Sequence, residues 1–274
     1  SDGTGLVHTA PAFGEEDFEI CRKYKIPIVD PTDFEGKFTD ELPEFKGLNI
    51  KDADKEIIKY LKAKNAIVKH ETLVHSYPFC WRSDTPLMNK AISTWFVRLE
   101  PLKEDLLKNN KKTRWVPEHL RDGRFGNWLE NARDWNISRN RFWGTPIPIW
   151  RDEDGEMHCV GSIEELEKLT GKKVTDLHKH FIDDLTFKSP KTGKLMRRIP
   201  EVLDCWFESG SMPYGQAHYP FENKEWFESH FPADFIVEYS AQTRGWFYTL
   251  MVLSTALFDR PPFLNCICHG VILD

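Results

Sequence analysis

The stretch DWNISRNRFWGTPIPIW, residues 134–150, holds three tryptophans, two arginines and two prolines in seventeen positions. Its aromatic and charged residues alternate too irregularly for an amphipathic helix, and Pro146 and Pro148 cannot both lie inside a paired central strand. An irregular, largely buried segment is therefore expected. Because its backbone polar groups must find partners without a regular ladder, a functional site is one explanation of this stretch, and a tryptophan-rich core loop is the other.

Positive charge is concentrated around the same stretch, although the 274-residue chain has a formal net charge of −6. Residues 111–151 contain nine Lys or Arg against four Asp or Glu, a local charge of +5. Aromatic residues such as Trp115, Trp128 and Trp143 lie between these charges, and a basic segment of this kind can contact phosphates. A solvated basic face above buried aromatics explains the pattern equally well.

The composition, 40% hydrophobic and 29% charged, is ordinary for a soluble globular protein. Its six cysteines include no CxxC pair, and no signal peptide precedes them, so we expect reduced thiols in a cytoplasmic protein. The longest apolar run lies within residues 245–258. It is shorter than the roughly 20 apolar residues that cross a bilayer, so it predicts a buried helix and no membrane partner.

The elements that position these residues follow from hydrophobic periodicity. Residues 15–24 predict a helix with an acidic first turn, and residues 50–63 have helical spacing. Residues 66–77 look like strands. Helical patterns between residues 101 and 133 break at Pro117 and Gly123. A hairpin is predicted from PIPIW through a polar turn to MHCV, followed by a helix whose capping box runs from Ser162 to Glu165.

From residue 201 onward, strands alternate with helices. This alternation predicts an α/β fold with parallel strands joined by crossover helices. The predicted elements are a strand in EVLDCWF (201–207), a helix near 222–231, a strand at 234–239, a helix at 243–258 and a strand in LNCICHGVIL (264–273).

Four separated strings, collinear along the chain, together resemble the isoleucyl-tRNA synthetases, a family of class I aminoacyl-tRNA synthetases. The valyl and leucyl families share the scaffold and remain the alternative assignment. His8 and the nine-residue spacing to Asp17 match the isoleucyl pattern. The strings are GTGLVHTAPAFGEEDF (3–18), SYPFCWRSDTPL (76–87), residues 134–150 and LDCWFESGSMPYGQ with EYSAQTRGWFYTL (within 203–250).

The resemblance implies an α/β fold made of the C-terminal half of a Rossmann-like catalytic domain and the C-terminal part of an inserted, β-rich editing domain. The family's HIGH element would lie upstream and its KMSKS element just beyond residue 274. We therefore expect an internal piece that is inactive in ligation on its own. The implied segments are 1–75 for the editing part, 76–150 for the connection and return into the catalytic domain, 151–200 for a small insertion and 201–274 for the second half of the catalytic domain.

The resemblance also implies a site for isoleucyl-adenylate, formed from isoleucine and ATP, with Mg²⁺ accompanying the ATP. Isoleucine has no polar side-chain group, so its pocket can offer only shape and apolar surface, and Trp206 and Trp246 would be the walls. Glu238 and Gln242 would orient the ribose and the amino group. Ala241 stands where the family often has aspartate. Packing alone is the other explanation for both tryptophans.

Proofreading is the second implied activity. In a hydrophobic pocket one missing methylene is worth only about 1–3 kcal/mol, the well-known case being isoleucyl-tRNA synthetase facing valine, so the family hydrolyses mischarged valyl-tRNA at a second site. Asp17 would bind the α-ammonium of the misattached valine, and His8 would line the pocket. Otherwise Asp17 is a helix-dipole partner and His8 a structural residue. The threonine-rich strand of the editing pocket would precede residue 1, so we do not expect hydrolysis by this piece.

The resemblance gives the remaining motif residues structural roles. Arg139, Arg141 and Trp143 would serve positioning and packing, and Arg244 is open between a helix-start ion pair and a phosphate contact. Zinc is not expected, because Ser83 replaces the second cysteine after Cys80 and FKSPKTGKLMRR contains none, whereas structural zinc takes four thiolate or imidazole ligands.

The implied partners are tRNA(Ile), isoleucine and ATP. Two functions of other classes stay open beside the ligase. One is a non-catalytic tRNA- or protein-binding module that uses the basic segment 111–151. The other is a stand-alone esterase that clears mischarged tRNA and depends on Asp17.

Overall fold

The computed structural model describes residues 3–273 as a mixed α/β protein. The chain divides into two compact units between Ser93 and Thr94. In the first unit, both helices predicted from periodicity are confirmed, as α1 (Glu15–Tyr24) and α2 (Ile50–Ala63). Its extended segments meet only in isolated bridges within the described residues, so the regular structure of this unit is helical.

The local sequence explains where these two helices begin. The first turn of α1 carries Glu15, Glu16 and Asp17, whose negative charges complement the positive end of the helix dipole. The first turn of α2 is capped by Asn49, whose side chain accepts a hydrogen bond from the backbone N–H of Lys51 at 3.0 Å.

The prediction of strands at residues 66–77 is wrong. This segment is irregular, and the side chains of Val68, Leu73 and Val74 are exposed. Their β-branched and apolar character favours strands, but a strand needs a partner for its backbone groups and a surface to cover. In the described part of this unit, no strand pairs with the segment.

The second unit contains the remaining helices and all of the described strands. A π-helical turn, Arg121–Phe125, leads directly into the helix Gly126–Glu130, so the break in the helical pattern that was predicted at Gly123 is wrong. The helices are α3 (Lys103–Lys111), α4 (Gly126–Glu130), α5 (Ile163–Thr170), α6 (Lys179–Ile182), α7 (Cys205–Gly215), α8 (Lys224–His230) and α9 (Trp246–Phe258). The strands are β1 (Phe96–Val97), β2 (Arg114–Val116), β3 (Trp135–Asn136), β4 (Ser138–Arg139), β5 (Ile149–Arg151), β6 (Met157–Cys159), β7 (Phe187–Lys188), β8 (Leu195–Arg198), β9 (Val202–Leu203), β10 (Ala233–Tyr239) and β11 (Phe263–His269).

A three-stranded parallel sheet, in the order β10, β11, β2, confirms the predicted parallel strands. The crossover from β10 to β11 is the buried helix α9, which covers one face of the sheet through a core that includes Trp115, Phe247 and Phe263. In the described part of the chain, no helix is both long and apolar enough to cross a membrane. The predicted strand at 201–207 is mostly wrong, because only Val202 and Leu203 are extended before α7 begins.

Residues 149–198 form a four-stranded antiparallel sheet in the order β6, β5, β8, β7. The predicted hairpin is confirmed as the β5–β6 pair. The cap of α5 is confirmed too, since the Ser162 side chain accepts a hydrogen bond from the Glu165 N–H at 3.1 Å. The sheet has a hydrophobic core of its own, built from Trp150, Val160, Leu166, Val174, Ile182, Leu185, Phe187 and Met196.

The stretch 134–150 is irregular, as expected, with only short strands at its two ends. The expectation that it is largely buried is wrong for its middle. Pro146, Ile147 and Trp150 are buried, but the side chains of Phe142 and Trp143 are 73% and 67% exposed. The second half therefore belongs to a core, while the tip of the loop presents aromatic rings to solvent.

Candidate functional site

The candidate site lies at the carboxyl end of the parallel sheet. Strand β10 ends at Tyr239, and a 3₁₀ turn, Ser240–Arg244, connects it to the first residue of α9. Open parallel sheets bind ligands outside the carboxyl ends of their strands. Three of the four predicted adenylate residues, Glu238, Gln242 and Trp246, lie along this connection.

Gln242 caps the start of α9. Its side-chain Oε1 accepts a hydrogen bond from the backbone N–H of Trp246 at 2.8 Å, which satisfies one of the N–H groups that a helix start leaves unpaired. The contact needs the glycine between them, because a Cβ on Gly245 would lie 2.6 Å from Gln242 Oε1 and 3.5 Å from the Trp206 ring. The amide of Gln242 therefore has a structural task at the start of α9.

The two predicted wall residues both lie beside Gly245. Trp206 lies in the first turn of α7, 41% exposed, with its ring edge against the Gly245 position. Trp246 is half-buried, and its indole Nε1 donates a hydrogen bond to the carbonyl of Ser209 on α7 at 3.2 Å. The structure thus brings Trp206, Gln242 and Trp246 together where α7 packs against the start of α9.

Within the described part of the chain, no hydrogen bond joins Glu238 to Trp206, Gln242 or Trp246. Glu238 is half-buried near the end of β10, and its Oε2 accepts a hydrogen bond from the backbone N–H of Tyr239 at 2.9 Å. The carboxylate is therefore held by its own strand, and its second oxygen is the acceptor it can offer to a ligand.

Arg139 of the stretch 134–150 is tied to the start of α7. Its Nη2 lies 2.9 Å from Oδ2 of the buried Asp204, which precedes the first residue of α7, and its Nη1 donates to the carbonyl of Ser138 at 2.8 Å. The backbone N–H of Asp204 donates to the carbonyl of Ile137 at 2.7 Å. These contacts fix the segment that carries Trp206. The sequence contained no local signal for Asp204, because its partner is 65 positions away.

Two further arginines hold the turn before α9. Arg124 Nε donates to the hydroxyl of the buried Thr243 at 3.0 Å. The guanidinium of Arg244 lies 4.7 Å from the ring centroid of Trp128, a cation–π contact. Of the two interpretations of Arg244, the ion pair at the helix start is wrong, because the described residues show no partner for it, and the phosphate contact stays untested. No pattern in the sequence indicated a role for Arg124 or Thr243.

The two predicted editing residues lie in the first unit. His8 is exposed on an irregular segment, and Asp17 is half-buried in the first turn of α1. Asp17 Oδ2 accepts a hydrogen bond from the backbone N–H of Ala10 at 2.8 Å, which folds the loop before α1 over the start of the helix. No contact joins His8 to Asp17 within the described residues.

The same unit contains a cavity of about 350 Å³ with a largely apolar lining. Neither His8 nor Asp17 lines it, although Phe13, in the loop that Asp17 holds, does. The lining residues are Phe13, Pro31, Thr32, Phe38, Ile50, Tyr77, Met88 and Asn89.

Cys80 lies in a tight turn in which the Asp84 N–H donates to the Cys80 carbonyl at 2.8 Å. A hydrogen bond from the Ser83 side chain, joined by the backbone N–H groups of Arg82 and Ser83, lowers the pKa of the Cys80 thiol to about 7. Within residues 3–273, no group of three or more His, Cys, Asp or Glu side chains is arranged to hold a metal ion.

Comparison with known proteins defines the class. The family model described as tRNA synthetases class I (I, L, M and V) matches residues 28–274, and the chain belongs to this family. Its relatives include the isoleucine–tRNA ligase of Rickettsia conorii (strain ATCC VR-613 / Malish 7), 63% identical over an alignment of 279 residues that covers 100% of this chain and 26% of that protein. The isoleucine–tRNA ligase of Rickettsia africae (strain ESF-5) is 62% identical over the same shares.

The chain thus spans about a quarter of the length of these curated relatives, 26%. Among solved structures, the ternary complex of Agrobacterium radiobacter K84 agnB2 LeuRS with tRNA and LeuAMS matches with a TM-score of 0.38 at 20% identity. That match covers 52% of this chain and 20% of the other.

Proposed function

We propose that the chain is part of an ATP-dependent isoleucine–tRNA ligase, which forms isoleucyl-adenylate and transfers isoleucine to tRNA(Ile). The observation that carries this proposal is the 63% identity with a Rickettsia isoleucine–tRNA ligase over the whole chain. ATP, with its Mg²⁺, isoleucine and tRNA(Ile) are the proposed partners, and zinc is not among the proposed cofactors.

The geometry around Gly245 supports this function. An isoleucine side chain can be recognised only by apolar surface of the right shape, and large rigid aromatic rings supply such surface with little loss of conformational entropy. Trp206 and Trp246 both lie beside Gly245, in the connection that follows the carboxyl end of a parallel strand, where α/β proteins bind ligands. Glu238, at the end of β10, can accept hydrogen bonds from the ribose or the ammonium group.

The parallel sheet also supports the proposal that residues 201–274 are the second half of a Rossmann-like catalytic domain. Parallel sheets are normally covered on both faces. Here the outward row Val237, Ile267 and Val116 is 49%, 43% and 46% exposed, although all three residues are apolar. A further layer, from the three quarters of the relatives' length outside this match, would cover that row.

The other proposed segments follow the same family pattern. Residues 151–200 would be an insertion, which agrees with their separate sheet and core. Residues 76–150 would be the connection into the catalytic domain, and residues 1–75 the C-terminal part of the editing domain.

The proposal is tested by amino-acid-dependent ATP–pyrophosphate exchange with the full-length protein that contains this chain. Isoleucine should support exchange with the highest kcat/KM, and valine should follow about 10- to 200-fold lower, because a single methylene separates the two substrates. Exchange that favours leucine or valine would assign the protein to the leucyl or valyl type. The absence of exchange with any amino acid would contradict the ligase function.

Asp17 is proposed to anchor the α-ammonium of mischarged valine. In the full-length protein, Asp17→Ala should lower the rate of valyl-tRNA(Ile) hydrolysis about 10- to 100-fold, the worth of a hydrogen bond to a charged group, and should leave isoleucylation unchanged. Deacylation of valyl-tRNA(Ile) is the measurement. Glu16→Ala is the matched control, because Glu16 is an exposed carboxylate in the same turn of α1. Equal loss in both variants would show that Asp17 acts only on the helix dipole.

A further inference from the structure

A second aromatic cluster, which shares no residue with the candidate site, lies on the surface of the second unit. The indole of Trp143 stacks on the imidazole of His178, with ring centroids 5.0 Å apart and planes inclined by 28°. Trp143 is nevertheless 67% exposed. One face of the indole is therefore supported by protein while most of the ring remains open to solvent.

Contacts with neighbouring residues hold the His178 ring and the backbone next to Trp143 in place. His178 Nδ1 lies 2.6 Å from Oδ1 of Asp176, and the same oxygen accepts the backbone N–H of His178 at 2.8 Å. On the other side, Gly144 follows Trp143 with a φ of +156° and packs so closely that a Cβ there would lie 2.8 Å from Cγ2 of Val202. The loop that carries Trp143 is thus seated on β9, and the indole is presented on a supported backbone.

The surroundings of the stack are aromatic and basic. Phe142, 73% exposed, precedes Trp143, and the exposed Arg141 precedes both. Residues 171–180, which contribute His178, contain three Lys and one Asp, and two of these lysines, Lys173 and Lys179, form ion pairs with Glu167 and Asp183. The positive charge that adjoins the open π-face is therefore mainly that of Arg141, and a π-face beside a cation is the combination that binds single-stranded nucleic acid.

A second exposed tryptophan stacks on a histidine elsewhere in the second unit, as Trp226 on His230. Stacking geometry alone therefore does not distinguish a surface that binds nucleic acid. Trp226 lies on His230 in α8, with centroids 4.6 Å apart and planes 16° apart, and is 47% exposed. Its helix carries two glutamates, Glu225 and Glu228, against one lysine, Lys224, so its formal charge is negative, and Glu228 is paired with Arg260. The two stacks thus share their geometry and differ in the sign of the neighbouring charge.

We propose that Trp143, supported by His178, is a stacking platform for an unpaired RNA base, and that Arg141 contacts the adjacent phosphate. Unpaired bases stack on aromatic side chains and on guanidinium planes, and such stacking tolerates any base sequence. The proposal rests on the proposed function for the identity of the RNA, the unpaired end of tRNA. The stacking itself rests on the geometry of Trp143.

The test is the binding of a fluorescein-labelled, eight-nucleotide single-stranded RNA ending in CCA to the 274-residue chain, followed by fluorescence anisotropy at low salt. Trp143→Ala should weaken binding at least about fivefold, as loss of one stacked base requires, and Trp143→Phe should retain most of the affinity. Trp226→Ala, the matched control, should bind as the unsubstituted chain does. Arg141→Ala should weaken binding and reduce its dependence on salt concentration.

Cross-linking gives a readout that does not depend on a variant. RNA with 5-bromouridine in place of one base should cross-link to the peptide that contains Trp143. The proposal is overturned if the chain does not bind the RNA, if Trp143→Ala binds normally, if Trp226→Ala loses as much affinity, or if the cross-link maps elsewhere. Because the probe is not a tRNA, RNA binding through Trp143 together with failure of the full-length protein to activate isoleucine would refute the proposed function and leave the platform intact.

Discussion

Asp183→Ala is expected to destabilise the four-stranded antiparallel sheet by about 3 kcal/mol. The side chain of Arg198 on β8 is fully buried, and its Nε and Nη2 lie 2.6 and 2.5 Å from Oδ1 of Asp183. Removing one partner of a buried ion pair leaves the other charge buried and unpaired, which costs about 3–5 kcal/mol. The lower end of this range applies because the Asp183 side chain is 35% exposed and because Arg198 keeps its hydrogen bonds to the carbonyls of Ile147 and Glu201.

Arg198→Met, which removes the other partner of the ion pair, should destabilise the sheet less than Asp183→Ala does. Without Arg198, the carboxylate of Asp183 keeps its ion pair with Lys179 at 2.8 Å and its access to solvent. Arg198→Met also replaces a buried charge by an apolar side chain of similar length, a change that is often close to neutral. Asp183→Ala should therefore be more destabilising than Arg198→Met, and equal losses would show that the unpaired buried guanidinium is not the source of the instability.

Hydrogen exchange of the β5 and β8 amides is the suitable measurement, because it reports local opening in a chain with two compact units. A loss of about 3 kcal/mol corresponds to exchange about 100-fold faster. The neighbouring Asp184 is exposed, so Asp184→Ala should leave exchange unchanged.

The same pair predicts a dependence on pH. Burial alone would raise the pKa of Asp183, but hydrogen bonds and charges from Lys179 and Arg198 outweigh it, and the net pKa is lowered. A carboxyl group with a lowered pKa in the folded state stabilises the fold fully above its unfolded pKa of about 3.9, and this contribution is lost as pH falls through the folded value. The difference between the unsubstituted chain and Asp183→Ala should therefore shrink below about pH 4.

Periodicity and capping were sufficient to predict several of the regular elements of the chain. The bounds of α1 and α2 were predictable because the acidic first turn and the apolar spacing indicate the same helices. The parallel strands β10 and β11 were predictable because each is a seven-residue run beside a helix. These signals are local, and tertiary contacts reinforce them.

The errors occur where distant contacts decide the structure. Strand β2 has only three residues, so its alternation is too short to detect, and it exists because β11 pairs with it. Residues 66–77 have strand composition and no partner strand among the described residues. In the candidate site, the types of Trp206 and Trp246 were suggestive, but their meeting at Gly245 depends on the packing of α7 against α9.

Trp206→Ala in the full-length protein is expected to lower kcat/KM for isoleucine about 10- to 200-fold in ATP–pyrophosphate exchange. Trp206 is the better of the two wall residues to test, because it is 41% exposed and does not belong to the main hydrophobic core. Trp246, by contrast, contributes a hydrogen bond to Ser209 and packs against the main core, so its loss would disturb the start of α9. The loss in Trp206→Ala should appear mainly in KM, since an apolar wall contacts substrate and transition state alike.

Two comparisons separate a pocket wall from a packing residue. Trp206→Phe keeps an aromatic surface and should recover most of the isoleucine kcat/KM, while Trp226→Ala removes a tryptophan of similar exposure, 47%, and should change nothing. Hydrolysis of valyl-tRNA(Ile) should be unaffected by Trp206→Ala, because the proposed editing residues lie in the first unit. An unchanged KM for isoleucine in Trp206→Ala would mean that this indole only packs against Gly245, and the adenylate site would then have to be sought elsewhere along the carboxyl edge of the parallel sheet.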